Sequence, residues 1–148
     1  IKAIAIIRRP DHALTSWMGL SDNRNIEDGL SHYIGQLDWL KSISGSMKRA
    51  SICAITYEDL IGSTSFVLQQ LTKYLGLVDP LDERYNVMET TGVYGFGDSG
   101  PLIRRGEVVR NIEKKVDGRV LDVLDDVWPA YNQLVDYWAC RGMILREA

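Results

Sequence analysis

The chain has 148 residues, 45% hydrophobic and 25% charged, with a net charge of −3. That length allows one domain with a real core, burying about 70% of the unfolded surface if it folds on its own. The mild acidity argues against broad nucleic-acid binding, the two cysteines against a disulfide framework, and the lack of eighteen consecutive apolar residues against a membrane span.

The isoleucine-rich run at 4–7 predicts a buried strand over residues 2–8, punctuated by a turn at Pro10. The strand delivers Arg8 to its C-terminal end, where open α/β sheets bind ligands. Ser16 follows eight residues later, near the start of a helix expected over about 11–19. An arginine and a hydroxyl so placed suit a phosphate group: the guanidinium grips two oxygens, and backbone N–H groups and the hydroxyl take others. The same residues also fit a surface arginine and a helix-capping serine. His12 reads as a solvated residue of that helix's first turn.

The polar stretch 21–25 caps a longer helix. Ile26, Leu30, Ile34, Leu37 and Ile43 recur at helical spacing, with Tyr33, Trp39 and Leu40 widening the stripe and Gly45 expected to end it. His32 falls on the polar side. Residues 51–57 predict a second strand holding Cys53 as a buried thiol, and the helical crossover makes it parallel to the first. Arg8 and Tyr57 then become neighbours. Tyr57 fits either a ring face or hydroxyl offered to a purine, or a half-buried core tyrosine. Glu58 and Asp59 read as caps or ion-pair partners at the next helix, without an acid–base role.

Ser63 or Thr64 caps a helix whose Val67, Leu68, Leu71, Tyr74 and Leu75 face inward, closed by Gly76. Residues 77–100 read as irregular. The glycine-rich stretch up to Gly106 carries Tyr94 and Phe96, then Arg104-Arg105-Gly106, which suits a loop over a nucleotide phosphate. The other reading is a hairpin, with 102–103 and 108–109 flanking a turn at Arg105-Gly106. From Val120 a C-terminal helix is expected, with Pro129 in its first turn or dividing it in two. Trp17, Trp39, Trp128 and Trp138 read as core. No His, Cys, Asp or Glu group has metal-ligand spacing, so no metal is expected. No Gly-x-Ser-x-Gly elbow marks a hydrolase nucleophile.

The order strand–Arg8-x-Pro10…Ser16, strand–Tyr57-Glu58-Asp59-Leu60–helix, then Arg104-Arg105-Gly106 resembles the C-terminal part of the sulfotransferase family. Those enzymes use 3′-phosphoadenosine 5′-phosphosulfate (PAPS). The resemblance implies an α/β fold, a three-layer P-loop-like parallel sheet of which this chain holds two parallel strands, flanking helices and a C-terminal helix. It implies that Arg8 and Ser16 bind the donor's 3′-phosphate, that Tyr57 lies against adenine, and that Arg104, Arg105 and Gly106 close over the 3′-phosphate. The implied acceptor is a small molecule or glycan carrying a hydroxyl or amine, and the implied compartment is the cytoplasm. The family's lysine-bearing phosphosulfate loop, its upstream catalytic histidine and its tryptophan after Arg-Lys-Gly have no counterpart here. Residues 1–148 therefore read as a single domain, the C-terminal portion of a sulfotransferase domain, with no catalytic residue of its own and inactive alone. The alternatives are a nucleotide-binding, kinase-like α/β enzyme and a non-catalytic interaction domain of the same fold.

Overall fold

Residues 1–20, 24–90, 101–110 and 115–145 are described by a computed structural model. They fall into two compact units, one from Ile1–Glu58 with Glu113–Arg146 and the other chiefly from Asp59–Ile112. The fold class is α/β.

In the first unit, β1 (Ala3–Ile7) and β2 (Ile52–Thr56) pair in parallel, with Ala3 opposite Ile52 and Ile7 opposite Thr56. Two helices fill the crossover, α1 (Pro10–Met18) and α2 (Ile26–Ser46), as a parallel pair demands. The backbone near the C-terminus flanks β2 on its other side: Ala54 N–H donates to Met143 O at 2.8 Å, and Leu145 N–H to Ala54 O at 2.9 Å. With neighbours on both sides, all five β2 residues are buried. The buried thiol expected at Cys53 is there, and burial pushes its pKa up to about 11. β1 departs from expectation. Ala5 and Ile7 are buried, while Ile4 and Ile6 stay 38% and 52% exposed. Successive strand side chains point to opposite faces, and only one face of β1 is packed.

Pro10 opens α1 instead of forming a turn before it, a position where its missing N–H costs nothing. Asn25 caps α2, its Oδ1 accepting from Glu27 N–H at 3.0 Å. The buried positions of α2 are Gly29, Tyr33, Leu37 and Ser44. Trp39 lies outside that stripe and is 62% exposed, contrary to its expected core role. Two residues past Leu37, it points roughly 200° round the helix. Gly45 does not end α2, which runs through Ser46 with Met47 as its C-cap. A Cβ at Gly45 would lie 3.4 Å from the Tyr137 hydroxyl, an ordinary contact distance.

The expected C-terminal helix is two helices, α5 (Gly118–Leu121) and α6 (Leu124–Cys140). Pro129 lies inside α6, neither in its first turn nor at the break. Its missing N–H removes the ladder bond to the Asp125 carbonyl, near the helix start where the loss spreads least. Val127, Tyr131, Leu134, Val135 and Trp138 form the buried face of α6. Trp138 is fully buried, and its Nε1 donates to Ser44 Oγ on α2 at 2.9 Å. Trp17 and Trp128 pack only partly against this core.

The helix α3 (Tyr57–Gly62) begins directly at the end of β2. In the second unit α4 (Thr64–Leu75) has Ser63 at its N-cap position and Gly76 at its end. Gly76 takes φ 73°, the left-handed conformation that ends helices, as its position predicted. Val67 and Leu71 are the buried positions of its apolar face. The hairpin reading of 102–109 does not hold. Pro101–Arg105 is a short 3-10 helix, and Glu107 pairs antiparallel with Arg84. The stretch 91–100, with Tyr94 and Phe96, and the start of the polar loop at 21–23 lie outside the described residues. Among the described residues, no helix is long and apolar enough to cross a membrane.

Two outcomes test this packing. Trp138→Ala empties a fully buried site and is expected to cost roughly 3–5 kcal/mol in urea unfolding. Trp138→Phe is expected to cost less, about 1–3 kcal/mol, because it leaves the buried Ser44 hydroxyl unpaired. In the folded protein at pH 8, a disulfide-exchange reagent should titrate the exposed Cys140 quickly and Cys53 only on unfolding, since a thiol with a raised pKa stays protonated.

Candidate functional site

Arg8 and Tyr57 immediately follow the paired residues Ile7 and Thr56, so they leave the sheet together. The Arg8 guanidinium carbon sits 4.7 Å from the Tyr57 ring centroid, a cation–π distance. One ring face of Tyr57 is therefore occupied by Arg8, and any flat ligand must use the other face or the edge. The strand predicted through Tyr57 ends one residue earlier, and Tyr57 opens α3.

Arg8 and Ser16 line one open cavity of about 310 Å³, with Trp17 from α1 and Gly29, His32 and Gln36 from α2 among its other walls. That volume is at the small end of ligand sites. Ser16 reaches it from the second half of α1, about 9 Å along the axis from Pro10, and not from near the helix start as predicted. The N–H groups that open α1 are thus not the ones beside the Ser16 hydroxyl. Arg8 Nε, Arg9 Nε and Trp17 Nε1 are buried and without a hydrogen-bond partner among the described residues, and of the three residues Arg8 and Trp17 line the cavity. Buried donors are normally paired, and two unpaired ones bordering one cavity favour an acceptor-rich guest.

The backbone around Arg8 is tied down from both sides. The Tyr33 hydroxyl donates to Arg8 O at 2.5 Å. Burial, reinforced by Tyr131, Glu58 and Asp11, pushes the Tyr33 phenol far above its ordinary range, which favours the protonated donor. Arg9 N–H donates to both carboxylate oxygens of Glu58, at 3.1 and 3.2 Å. Glu58 Oε1 also lies 3.2 Å from His12 Nδ1. Asp11, itself buried, accepts from the Arg9 guanidinium at 2.7 Å and from His12 N–H at 2.9 Å. Glu58 thus serves as a hydrogen-bonding partner at this helix start, to the Arg9 amide and the His12 ring. His12 does not fit the solvated reading, because it is half-buried against this carboxylate.

The sequence reading missed the α2 wall. Gly29, His32, Tyr33 and Gln36 follow i, i+3, i+4, i+7 spacing, which places them on one helix face. His32 is exposed, as expected, and it stacks on Trp17 with centroids 5.5 Å apart and planes 26° from parallel. Arg24 lies over the same indole, 4.0 Å from its centroid. Gly29 makes this approach possible, since a Cβ there would lie 2.7 Å from Trp17 Cδ1.

Arg104, Arg105 and Gly106 belong to the second unit. Gly106 takes φ 71°, and its carbonyl accepts from Tyr85 N–H at 2.8 Å. A Cβ on Gly106 would sit 3.1 Å from Tyr85 O, so both conformation and space call for glycine. The Tyr85 hydroxyl donates to Ile103 O at 2.8 Å, which pins the turn carrying the two exposed arginines. Glu83 holds the next strand-like stretch: its carbonyl accepts from Val108 N–H at 2.9 Å, and its carboxylate pairs with Arg110. A larger open groove of about 690 Å³ runs between α4 and residues 80–84, and none of the three predicted residues lines it. Among the described residues no His, Cys, Asp and Glu group is arranged to hold a metal ion.

No protein-family profile, curated protein or solved structure matches the chain.

The fit of α2 against α1 can be tested directly. Gly29→Ala must displace the Trp17 indole and is expected to lose roughly 1–3 kcal/mol by overpacking, with a shift in tryptophan fluorescence. An unchanged emission spectrum and an unchanged unfolding midpoint would contradict that contact.

Proposed function

We propose that the chain binds the 3′-phosphate and adenosine end of PAPS, as the nucleotide-binding part of a sulfotransferase built on a three-layer P-loop-like sheet. Arg8 carries this reading. Its guanidinium is pressed against the Tyr57 ring, it borders a cavity shared with the Ser16 hydroxyl, and its buried Nε has no partner among the described residues. A terminal phosphate offers the acceptor oxygens that such a cluster of donors lacks, and an arginine fork can bind two of them at once.

In this reading the residues of the first unit act by binding and orientation. Arg8 neutralises phosphate charge, Ser16 donates its hydroxyl, and Tyr57 offers its remaining ring face to the purine. The Tyr33 and Glu58 hydrogen bonds hold the Arg8–Arg9 backbone, so little order need be gained on binding. Arg104 and Arg105, on their glycine-dependent turn, are proposed as further phosphate ligands by the sequence resemblance alone. When bound, the donor supplies the sulfuryl group that passes to an acceptor hydroxyl or amine, leaving 3′-phosphoadenosine 5′-phosphate. Holding that donor at a fixed depth and angle is how positioning residues lower a transfer barrier.

The test is calorimetric titration with 3′-phosphoadenosine 5′-phosphate. Arg8→Ala should weaken binding by roughly 1.5–3 kcal/mol, about ten- to a hundred-and-fiftyfold. Arg8→Lys should recover only part of it, because an ammonium keeps the charge and loses the fork. Equal affinity for wild type and Arg8→Ala would end the assignment.

A further inference from the structure

The α2 wall of the Arg8 cavity contains two polar side chains that the sequence motifs leave without a role. His32 Nε2 and Gln36 Nε2 lie 3.0 Å apart, one helical turn from each other. Both line the cavity with Arg8 and Ser16. Two nitrogens at that distance form a hydrogen bond only when one is a bare acceptor. With its amide nitrogen donating, Gln36 pairs with a ring nitrogen that carries no proton. The same amide, turned over, presents its oxygen and accepts from a protonated ring. Gln36 can therefore partner either charge state of His32.

We infer that His32 and Gln36 form a second wall of the phosphate subsite, and that His32 takes up a proton when an anion enters. This rests on the reading of the cavity as a phosphate site. The charged groups around the imidazole explain the coupling. Arg8 at the end of β1 borders the same cavity, and Arg24 lies over the Trp17 ring on which His32 stacks. On α2 itself Asp28 stands one turn before His32, Gln36 stands one turn after, and Tyr33 is committed to the Arg8 carbonyl. From α1 the cavity receives the uncharged Ser16 and Trp17. A phosphate dianion would bring two negative charges beside the ring. It neutralises Arg8 and rewards an added N–H donor, and the stack on Trp17 keeps the ring in place to supply it. Histidine is the side chain able to make that change near neutral pH, which is why it matters that this wall is not lysine or asparagine.

The measurement is calorimetry of the full chain at pH 7 in two buffers of different ionisation heat, with 3′-phosphoadenosine 5′-phosphate and, separately, inorganic phosphate as probes. The difference between buffers counts the protons taken up per ligand bound. Wild type should take up more protons than His32→Gln, and that variant should bind roughly tenfold more weakly. Gln36→Ala should weaken binding less and keep the proton uptake. If His32→Gln matches wild type in affinity and proton count while Arg8→Ala still loses binding, the α2 wall is refuted and the nucleotide reading stands. If inorganic phosphate binds with His32-dependent uptake and the nucleotide binds no more tightly, the subsite stands and the nucleotide reading falls. Binding of neither probe overturns both.

Discussion

The parallel register of β1 with β2 sets Ile7 opposite Thr56, and everything proposed for this chain follows from the next residue on each strand. Arg8 and Tyr57 have no other reason to meet, being 49 positions apart. A register shifted by one would flip every β1 side chain to the opposite face, burying Ile4 and Ile6 and exposing Ala5 and Ile7. It would also separate the guanidinium from the phenol ring. The register is held by the burial of all five β2 residues and by the backbone at 143–145 pairing along the other side of β2. A site carried on two ordered strand ends needs no further scaffold for its first contact.

Around that contact the molecule spends several polar groups on backbone. Tyr33 holds the Arg8 carbonyl, Glu58 takes the Arg9 amide with both oxygens, and Asp11 bridges the Arg9 guanidinium to the first turn of α1. Each is buried or half-buried, where a hydrogen bond left unmade is costly. The two arginines of the strand end are thereby given different tasks. Arg9 is consumed by structure, pairing with Asp11 and lying 5.4 Å from the Trp128 ring centroid. Both keep a buried Nε with no partner among the described residues, but Arg8 is the one that lines the cavity. Adjacent residues on an extended chain point in opposite directions, which is enough to divide them.

The second unit uses the same economy on a smaller scale. Gly106 accepts a left-handed conformation so that its carbonyl can meet Tyr85, and the Tyr85 hydroxyl returns to Ile103. Arg104 and Arg105 are displayed from this closed turn, with their own backbone already ordered.

Much of this architecture was written in local pattern. Apolar runs, helical period, the polar capping stretch at 21–25, the Gly76 stop and the length of the crossover determined that the chain is α/β with two parallel strands, and the strand-end placement of Arg8 and Tyr57 came with it. What local pattern could not decide was which face of each element would be covered. Ile4, Ile6 and Trp39 are apolar yet exposed, Asp11 is charged yet buried, and Gly45 sits inside a helix it was expected to stop. In each case the neighbour that settles the matter is distant in sequence, or absent where one was assumed. The α2 wall was hidden for the same reason. His32 and Gln36 are ordinary polar residues on a helix until Gly29 lets Trp17 come close enough to make them one side of a cavity. Residue type determined what the side chains can do; the packing of α2 on α1 decided which of them share a space in which to do it.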